Sequence, residues 1–175
     1  MQEVYLLLGS NRGDRENNLL TACRKVSGRI GKIGLISSMY ETEPWGFTDD
    51  TLFYNQALMV NTMLSPHDLL AEIHKMESET GRVRDSQASA GDSCACSEGA
   101  YTSRILDIDI LLYGQLILFT DELMIPHPRM HTRRFVLVPL NEIAARLVHP
   151  VLKKTVAELL MACNDSSTVQ LLNNK

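Results

Sequence analysis

Asp107 and Asp109 stand two residues apart in the run Ile105-Leu106-Asp107-Ile108-Asp109-Ile110-Leu111-Leu112. Strand side chains alternate between faces, so the two acids share one face and Leu106, Ile108, Ile110 and Leu112 share the other. Like charges about 7 Å apart along a strand repel, and desolvating either one is costly. Such a pair inside an aliphatic, β-branched run calls for a cation. Magnesium suits it: the ion prefers oxygen donors and commonly takes one or two carboxylates together with substrate phosphates. The alternative is the polar face of an edge strand, which the apolar flanks disfavour.

Arginines bracket the acids. Gly81-Arg82-Val83-Arg84 and Arg104 precede them, and His127, Arg129, Arg133 and Arg134 follow. Guanidinium forks bind phosphate oxygens in pairs. Acids for metal and arginines for phosphate are what phosphoryl transfer needs, since its catalysis is positioning plus charge stabilisation. A third group, Thr42-Glu43-Pro44-Trp45-Gly46-Phe47 with Phe53 and Asn55, offers stacking faces and amide hydrogen bonds to a heterocycle. The chain has neither a P-loop nor a Gly-x-Gly-x-x-Gly run, so nucleotide sites of those types are unsupported. His127 and His131 have a helical zinc spacing, but Pro128 interrupts the helix, and His127 reads better as a phosphate contact. His67, His74 and His149 read as structural or solvent-facing.

These residues need a scaffold. Residues 4–8 read as a buried strand and 9–14 as a turn. Asp14 caps a helix with apolar positions at Leu19, Leu20, Cys23, Val26 and Ile30, closed by Gly31. Residues 33–40 and 52–63 read as strands, with 41–50 an ordered loop between them. Phe53, Asn55 and Ala57 fall on one face of the second of these strands. Ser65, Pro66 and Asp68 start a helix whose stripe is Leu69, Leu70, Ile73 and Met76, ending at Gly81. Residues 85–103 form a long Ser/Ala/Gly-rich loop, and loops of that length inside a compact domain are often functional. The acidic strand follows, then helices over 132–145 and 156–163 and a frayed end. The order predicts an α+β fold: a ferredoxin-like βαββαβ antiparallel sheet, helices on one face, and extra C-terminal elements. One domain spans 1–163, and 164–175 is a tail.

The chain has 175 residues, 45% of them hydrophobic and 22% charged, with net charge −4. That fits one globular domain and argues against a broad grip on nucleic acid. At this length a second fused enzyme is not expected. No apolar run approaches a membrane span of about 20 residues, and the N-terminus lacks the marks of a signal peptide. A cytoplasmic location is expected, with no obligate protein partner evident. Cys23, Cys94, Cys96 and Cys163 do not suggest a disulfide scaffold or a zinc site.

Taken in order, Leu8-Gly9-Ser10-Asn11, Glu41-Thr42-Glu43-Pro44-Trp45-Gly46, Phe53-Tyr54-Asn55-Gln56, Gly81-Arg82-Val83-Arg84, Arg104 through Leu111, Ile125-Pro126-His127-Pro128-Arg129 and Arg133 through Leu137 resemble 6-hydroxymethyl-7,8-dihydropterin pyrophosphokinase of folate biosynthesis. The match runs over about residues 4–150. The resemblance implies transfer of diphosphate from ATP to the hydroxymethyl group of a dihydropterin, releasing AMP. It implies that Asp107 and Asp109 hold two magnesium ions. Arg84, Arg104 and Arg133 would contact phosphate with Arg82 nearby, and His127 would contact the triphosphate. Arg82, Arg84 and Arg104 would join the two acids in catalysis, and Glu77 and Ile110 would lie at the nucleotide pocket. Asn55 would bond the pterin between Phe53 and Phe135, with groups at Thr42 and Trp45 reading its other edges. Two departures stand out: the long 85–103 loop with Tyr101-Thr102-Ser103 where Trp-Gly-Pro is frequent, and Pro128 where an aromatic can follow the histidine.

Three other classes remain. An RNA-binding ferredoxin-like domain would put aromatics and basic charge on the sheet, where this chain has aspartates. A two-metal nuclease or phosphatase would need further acids or histidines. A non-catalytic pterin binder would keep Asn55 and the aromatics without the acids. The general base is open: one of the two aspartates, or none.

Overall fold

The computed structural model describes residues 1–45, 51–80 and 105–172. In chain order the first half contains β1 (Gln2–Ser10), α1 (Arg15–Arg29), β2 (Gly31–Ile36), β3 (Tyr40–Thr42), β4 (Phe53–Thr62) and α2 (Pro66–Glu79). The second half contains β5 (Asp107–Tyr113), β6 (Leu118–Phe119), β7 (Met124–Ile125), a 3-10 turn (Met130–Thr132), α3 (Arg134–Ala144), α4 (Val156–Met161) and β8 (Val169–Leu171).

β1 lies inside an antiparallel sheet, between β4 and β5. The other edge of β4 is shared: β2 pairs with one half and β3 with the other. β8 extends the sheet beyond β3, pairing Thr42 with Val169 and Tyr40 with Leu171. Residues 169–171 are therefore an edge strand and not the frayed end the sequence predicts. Their short polar-apolar pattern carries too little signal to identify a strand that exists only because β3 offers it an edge.

Helices cover both faces of the sheet, where the sequence reading put them on one. α1 and α2 bring Leu19, Ala22, Val26, Leu69, Ile73 and Met76 onto Val4, Leu6, Leu8, Leu58 and Ile108. α3 and α4 bring Val136, Leu137, Leu140, Val156 and Leu159 onto Tyr5, Leu7, Ala57 and Leu111. The reason is visible in β1, where every residue from Val4 to Ser10 is buried. A strand apolar on both sides needs a layer on each.

Alternation also breaks within β5. The register shifts between Tyr5 and Leu6, so Tyr5 faces Leu112 while Leu6 faces Ile110, and Leu111 is left without an opposite. Both Leu111 and Leu112 then pack on the α3 side. Leu112 therefore does not share a face with Ile108 and Ile110, because a bulge resets the period.

The helix starts follow the sequence. The Asp14 carboxylate accepts from the Asn17 amide, Ser65 Oγ accepts from the Asp68 amide, and Thr155 with Glu158 forms a capping box. α1 ends at Arg29 with Ile30 as its cap. Gly31 opens β2 instead of closing the helix, and a Cβ there would overlap the Asn61 carbonyl. Leu20, expected in the apolar stripe, is exposed. No helix among the described residues is long and apolar enough to cross a membrane.

Candidate functional site

Asp107 and Asp109 open β5, half-buried, on the face that α3 and α4 cover further along. Their strand is pinned on both edges. On the inner edge, Gly9 pairs with Asp107 and Leu7 with Asp109. On the outer edge, the Glu77 carboxylate accepts from the Ile108 amide at 3.1 Å, and the Leu111 carbonyl accepts from the His127 amide at 2.9 Å. The turn after β1 fixes the start of the strand. Ser10 Oγ donates to the Ile105 carbonyl at 2.5 Å, and Asn18 Nδ2 donates to Ser10 Oγ at 3.0 Å. Gly9 and Ser10 thus place the acids.

A cleft of about 290 Å³ opens in front of them, lined by Glu77, Asp107, Asp109, Ile110 and His127, with His74 and Glu122 beside them. The hairpin of β6 and β7 closes one wall through Leu123 and Met124. Sequence reasoning missed this hairpin, whose strands are only two residues long. It also set His74 aside, although His74 lines the cleft. The spacing Leu70, His74, Glu77 on one helical stripe was the available signal.

Burial pushes the His127 imidazole down to about 4, with the positive charges of Arg133 and Arg129 adding to the effect and Asp107 opposing it. His127 is therefore neutral near pH 7. Its Nδ1 accepts from the Arg129 amide at 3.2 Å. In the neutral ring the proton is then assigned to Nε2, which makes that atom a hydrogen-bond donor.

A second group of residues sits in the same row of the sheet. Gly9 pairs with Asp107 on one side and with Asn55 on the other. An ideal Cβ on Gly9 would lie 3.1 Å from Asn55 Oδ1, 3.9 Å from the Asp107 Cβ and 4.0 Å from the Phe53 ring. Buried Asn55 donates through Nδ2 to Thr42 Oγ1 at 2.7 Å. Arg133, almost fully buried, stacks on Trp45 at 4.5 Å and reaches Phe135 at 5.7 Å. The sequence reading assigned Arg133 to phosphate. It packs against the aromatic residues, while its charge still bears on His127.

The structure thus brings Glu77, Asp107, Asp109, Ile110 and His127 to one cleft and Thr42, Phe53 and Asn55 to the neighbouring row. Trp45 and Phe135 lie against Arg133. Thr42 belongs to β3 and not to a loop, held there by pairing with Phe53 and Val169. Arg82, Arg84, Arg104 and the 85–103 loop lie outside the described residues, as do Gly46, Phe47, Cys94 and Cys96.

The arrangement is a polar cleft with two hard-oxygen acids, next to a buried amide with aromatic neighbours. Comparison with known proteins gives the family. The family model described as 7,8-dihydro-6-hydroxymethylpterin-pyrophosphokinase matches residues 5–145. A 2-amino-4-hydroxy-6-hydroxymethyldihydropteridine pyrophosphokinase of Porphyromonas gingivalis is 39% identical over 151 residues, covering 86% of this chain and 95% of that protein. The folic acid synthesis protein FOL1 of Dictyostelium discoideum is 40% identical over 152 residues, but the chain spans only 21% of its length. The solved Plasmodium falciparum HPPK-DHPS with pteroate superimposes with TM-score 0.71 at 19% identity, over 92% of this chain and 42% of that one, a likeness of fold. With the family match running from β1 through α3 and the Porphyromonas relative alike over nearly its whole length, the chain belongs to the 7,8-dihydro-6-hydroxymethylpterin-pyrophosphokinase family.

Proposed function

We propose that the chain transfers diphosphate from ATP to the hydroxymethyl group of 6-hydroxymethyl-7,8-dihydropterin, releasing AMP, as a step of folate biosynthesis. The observation that carries the reading is the row Asn55, Gly9, Asp107. It sets an amide that would bind the heterocycle and an acid that would bind the metal on either side of a residue with no side chain. An acceptor hydroxymethyl group on a bound ring would then lie beside the acids that would hold the magnesium of the donor phosphates.

Asp107 and Asp109 fit magnesium. Both are half-buried oxygen donors on one face of a strand, and both line the cleft. Among the described residues no cluster of three or more His, Cys, Asp or Glu offers a full protein cage. A pair of carboxylates completed by phosphate oxygens and water is the usual magnesium arrangement. Two ions is the number the family resemblance implies. When bound, the metal would neutralise phosphate charge and lower the barrier to attack. The protein's own contribution is orientation. Asn55 would bond the ring edge, Phe53 and Phe135 would stack on its faces, and Thr42 and Trp45 would border it. His127 would donate Nε2–H to a phosphate oxygen without adding a charge. Arg82, Arg84 and Arg104 would supply the charge that stabilises the transferring group.

The strand order supports the ferredoxin-like reading. With β2 and β3 counted as one interrupted strand, the strands of the βαββαβ core lie in the order fourth, first, third, second, all antiparallel.

The test is incubation with ATP, magnesium and the hydroxymethyl-dihydropterin. AMP and the pterin diphosphate are expected in equal amounts. Release of ADP or inorganic phosphate, or no product, would overturn the assignment.

A further inference from the structure

Arg15 opens α1, immediately after the Asp14 cap. A cation at a helix N-terminus faces the positive end of the macrodipole, so its placement there is unfavourable by itself. Its guanidinium is engaged elsewhere. Nη1 donates to Glu41 Oε1 at 3.1 Å and to the Leu52 carbonyl at 2.7 Å, and Cζ lies 3.8 Å over the Tyr54 ring.

Glu41 and Leu52 are far apart in sequence but have one thing in common. Glu41 is followed by Thr42, and Leu52 by Phe53. They are the two stems of the segment 43–51, which carries Trp45. β3 and β4 pair Thr42 with Phe53 and Glu41 with Tyr54. Strand alternation puts Glu41 and Tyr54 on the α1 side, opposite the side that holds Phe53 and Asn55. Tyr54 does pack against the α1 core. Arg15 therefore works from behind the sheet, on the side away from the ring-binding residues.

We propose that Arg15 is a positioning residue for the heterocycle half of the site: one guanidinium staples Glu41 of β3 to Leu52, next to β4, and so sets the spacing of Thr42, Phe53 and Trp45. The inference rests on the pterin reading for its effect on substrate, and on geometry alone for its effect on Trp45. The ion pair is partly shielded, with side-chain exposures of 23% and 26%, and the carbonyl bond and the ring contact give it a fixed geometry that a lone surface pair lacks.

The experiment compares Arg15→Ala, Arg15→Lys and Glu41→Gln with the unaltered protein. Arg29→Ala, which breaks the Arg29 to Glu79 bridge between α1 and α2, serves as the stability control. Trp45 is the only tryptophan of the chain, so its fluorescence reports on the segment with no substrate present. Arg15→Ala should shift Trp45 emission to longer wavelength and raise its quenching by acrylamide. In turnover, Arg15→Ala should raise KM for the pterin about tenfold, the scale of losing a charged hydrogen bond, while kcat and KM for ATP stay within about twofold. Arg15→Lys keeps the charge but not the fork, and should fall between. Arg29→Ala should lower Tm without altering Trp45 or the pterin KM. Unchanged Trp45 fluorescence in Arg15→Ala would overturn the staple, whatever the substrate is. A shifted Trp45 with no effect on pterin KM would overturn its link to substrate. Equal losses for both substrates, tracking Tm, would reduce Arg15 to a structural residue. Failure of the unaltered protein to bind the pterin would instead overturn the proposed function, and the Trp45 arm would still decide the staple.

Discussion

Asn55 and Asp107 face each other across Gly9, each paired with it in the sheet register. A Cβ at position 9 would stand 3.1 Å from Asn55 Oδ1. Gly9→Ala therefore obliges the amide to move by a few tenths of an ångström. The expected result is a folded protein whose pterin KM rises about tenfold with a smaller effect on ATP. Gly9→Val should lose turnover altogether. Normal kinetics for Gly9→Val would mean that the row is not where the two substrates meet.

Asp107→Asn and Asp109→Asn keep shape and remove charge. Metal-borne stabilisation is worth several kcal/mol, so each should lower kcat by about a thousandfold or more. The melting temperature should hold or rise, because two same-face acids repel. An active Asp109→Asn variant would exclude that residue from the metal platform.

Thr42→Val removes the acceptor of a buried bond from Asn55. An unpaired buried amide N–H costs about 1–3 kcal/mol. Part should appear as lower stability and part as weaker pterin binding, measured by calorimetry. Thr42→Ser, which keeps the oxygen, should restore most of both.

Glu77 is buried, and its carboxylate holds the Ile108 amide between the two acids. Glu77→Gln keeps the accepting oxygen and should fold with little loss. Glu77→Ala should destabilise by about 2 kcal/mol and also slow turnover, since the amide loses its partner and the acids lose their register. Denaturant melts and kcat together check this.

The His149 imidazole accepts from the amides of Val151 and Leu152 through Nδ1. Burial, and then the nearby His131, hold its pKa below the ordinary value. An unfolded histidine titrates near about 6.5. The folded form binds its proton less readily, so this stability is present above about pH 6.5 and is lost as pH falls through the folded pKa. Tm should decline on acidification below about pH 6.5, and His149→Asn, which preserves an acceptor, should flatten that decline. An identical pH slope would assign the loss to other groups.

The sequence made the parts of the site legible more readily than their arrangement. Asp107, Asp109, Asn55 and Phe53 stand out because strand periodicity says which face each takes, and β4 obeys it. Caps such as Asp14 and Ser65 are read equally well because their chemistry is local. Arg15 was passed over because its partners, Glu41 and Leu52, come together only through sheet pairing. The stacking of Arg133 on Trp45 was not legible, because an arginine's aromatic partner leaves no trace in spacing. Leu112 was placed on the wrong face because a bulge depends on the neighbouring strand. The second helical layer was missed for a related reason: β1 is apolar on both faces, which says that two layers are needed but not which helices supply them.

Among the described residues β5 is paired with a strand, β1, along one side only, so its outer side would be an open ladder of backbone donors and acceptors. Glu77 and His127 close that ladder at Ile108 and Leu111. The residues that border the reaction thus also keep the strand from recruiting another chain. Weakening them exposes an aggregation-prone edge at the very place where activity is measured. A variant at either position that elutes as a larger species has lost its edge protection, and its missing turnover then speaks of self-association before it speaks of chemistry.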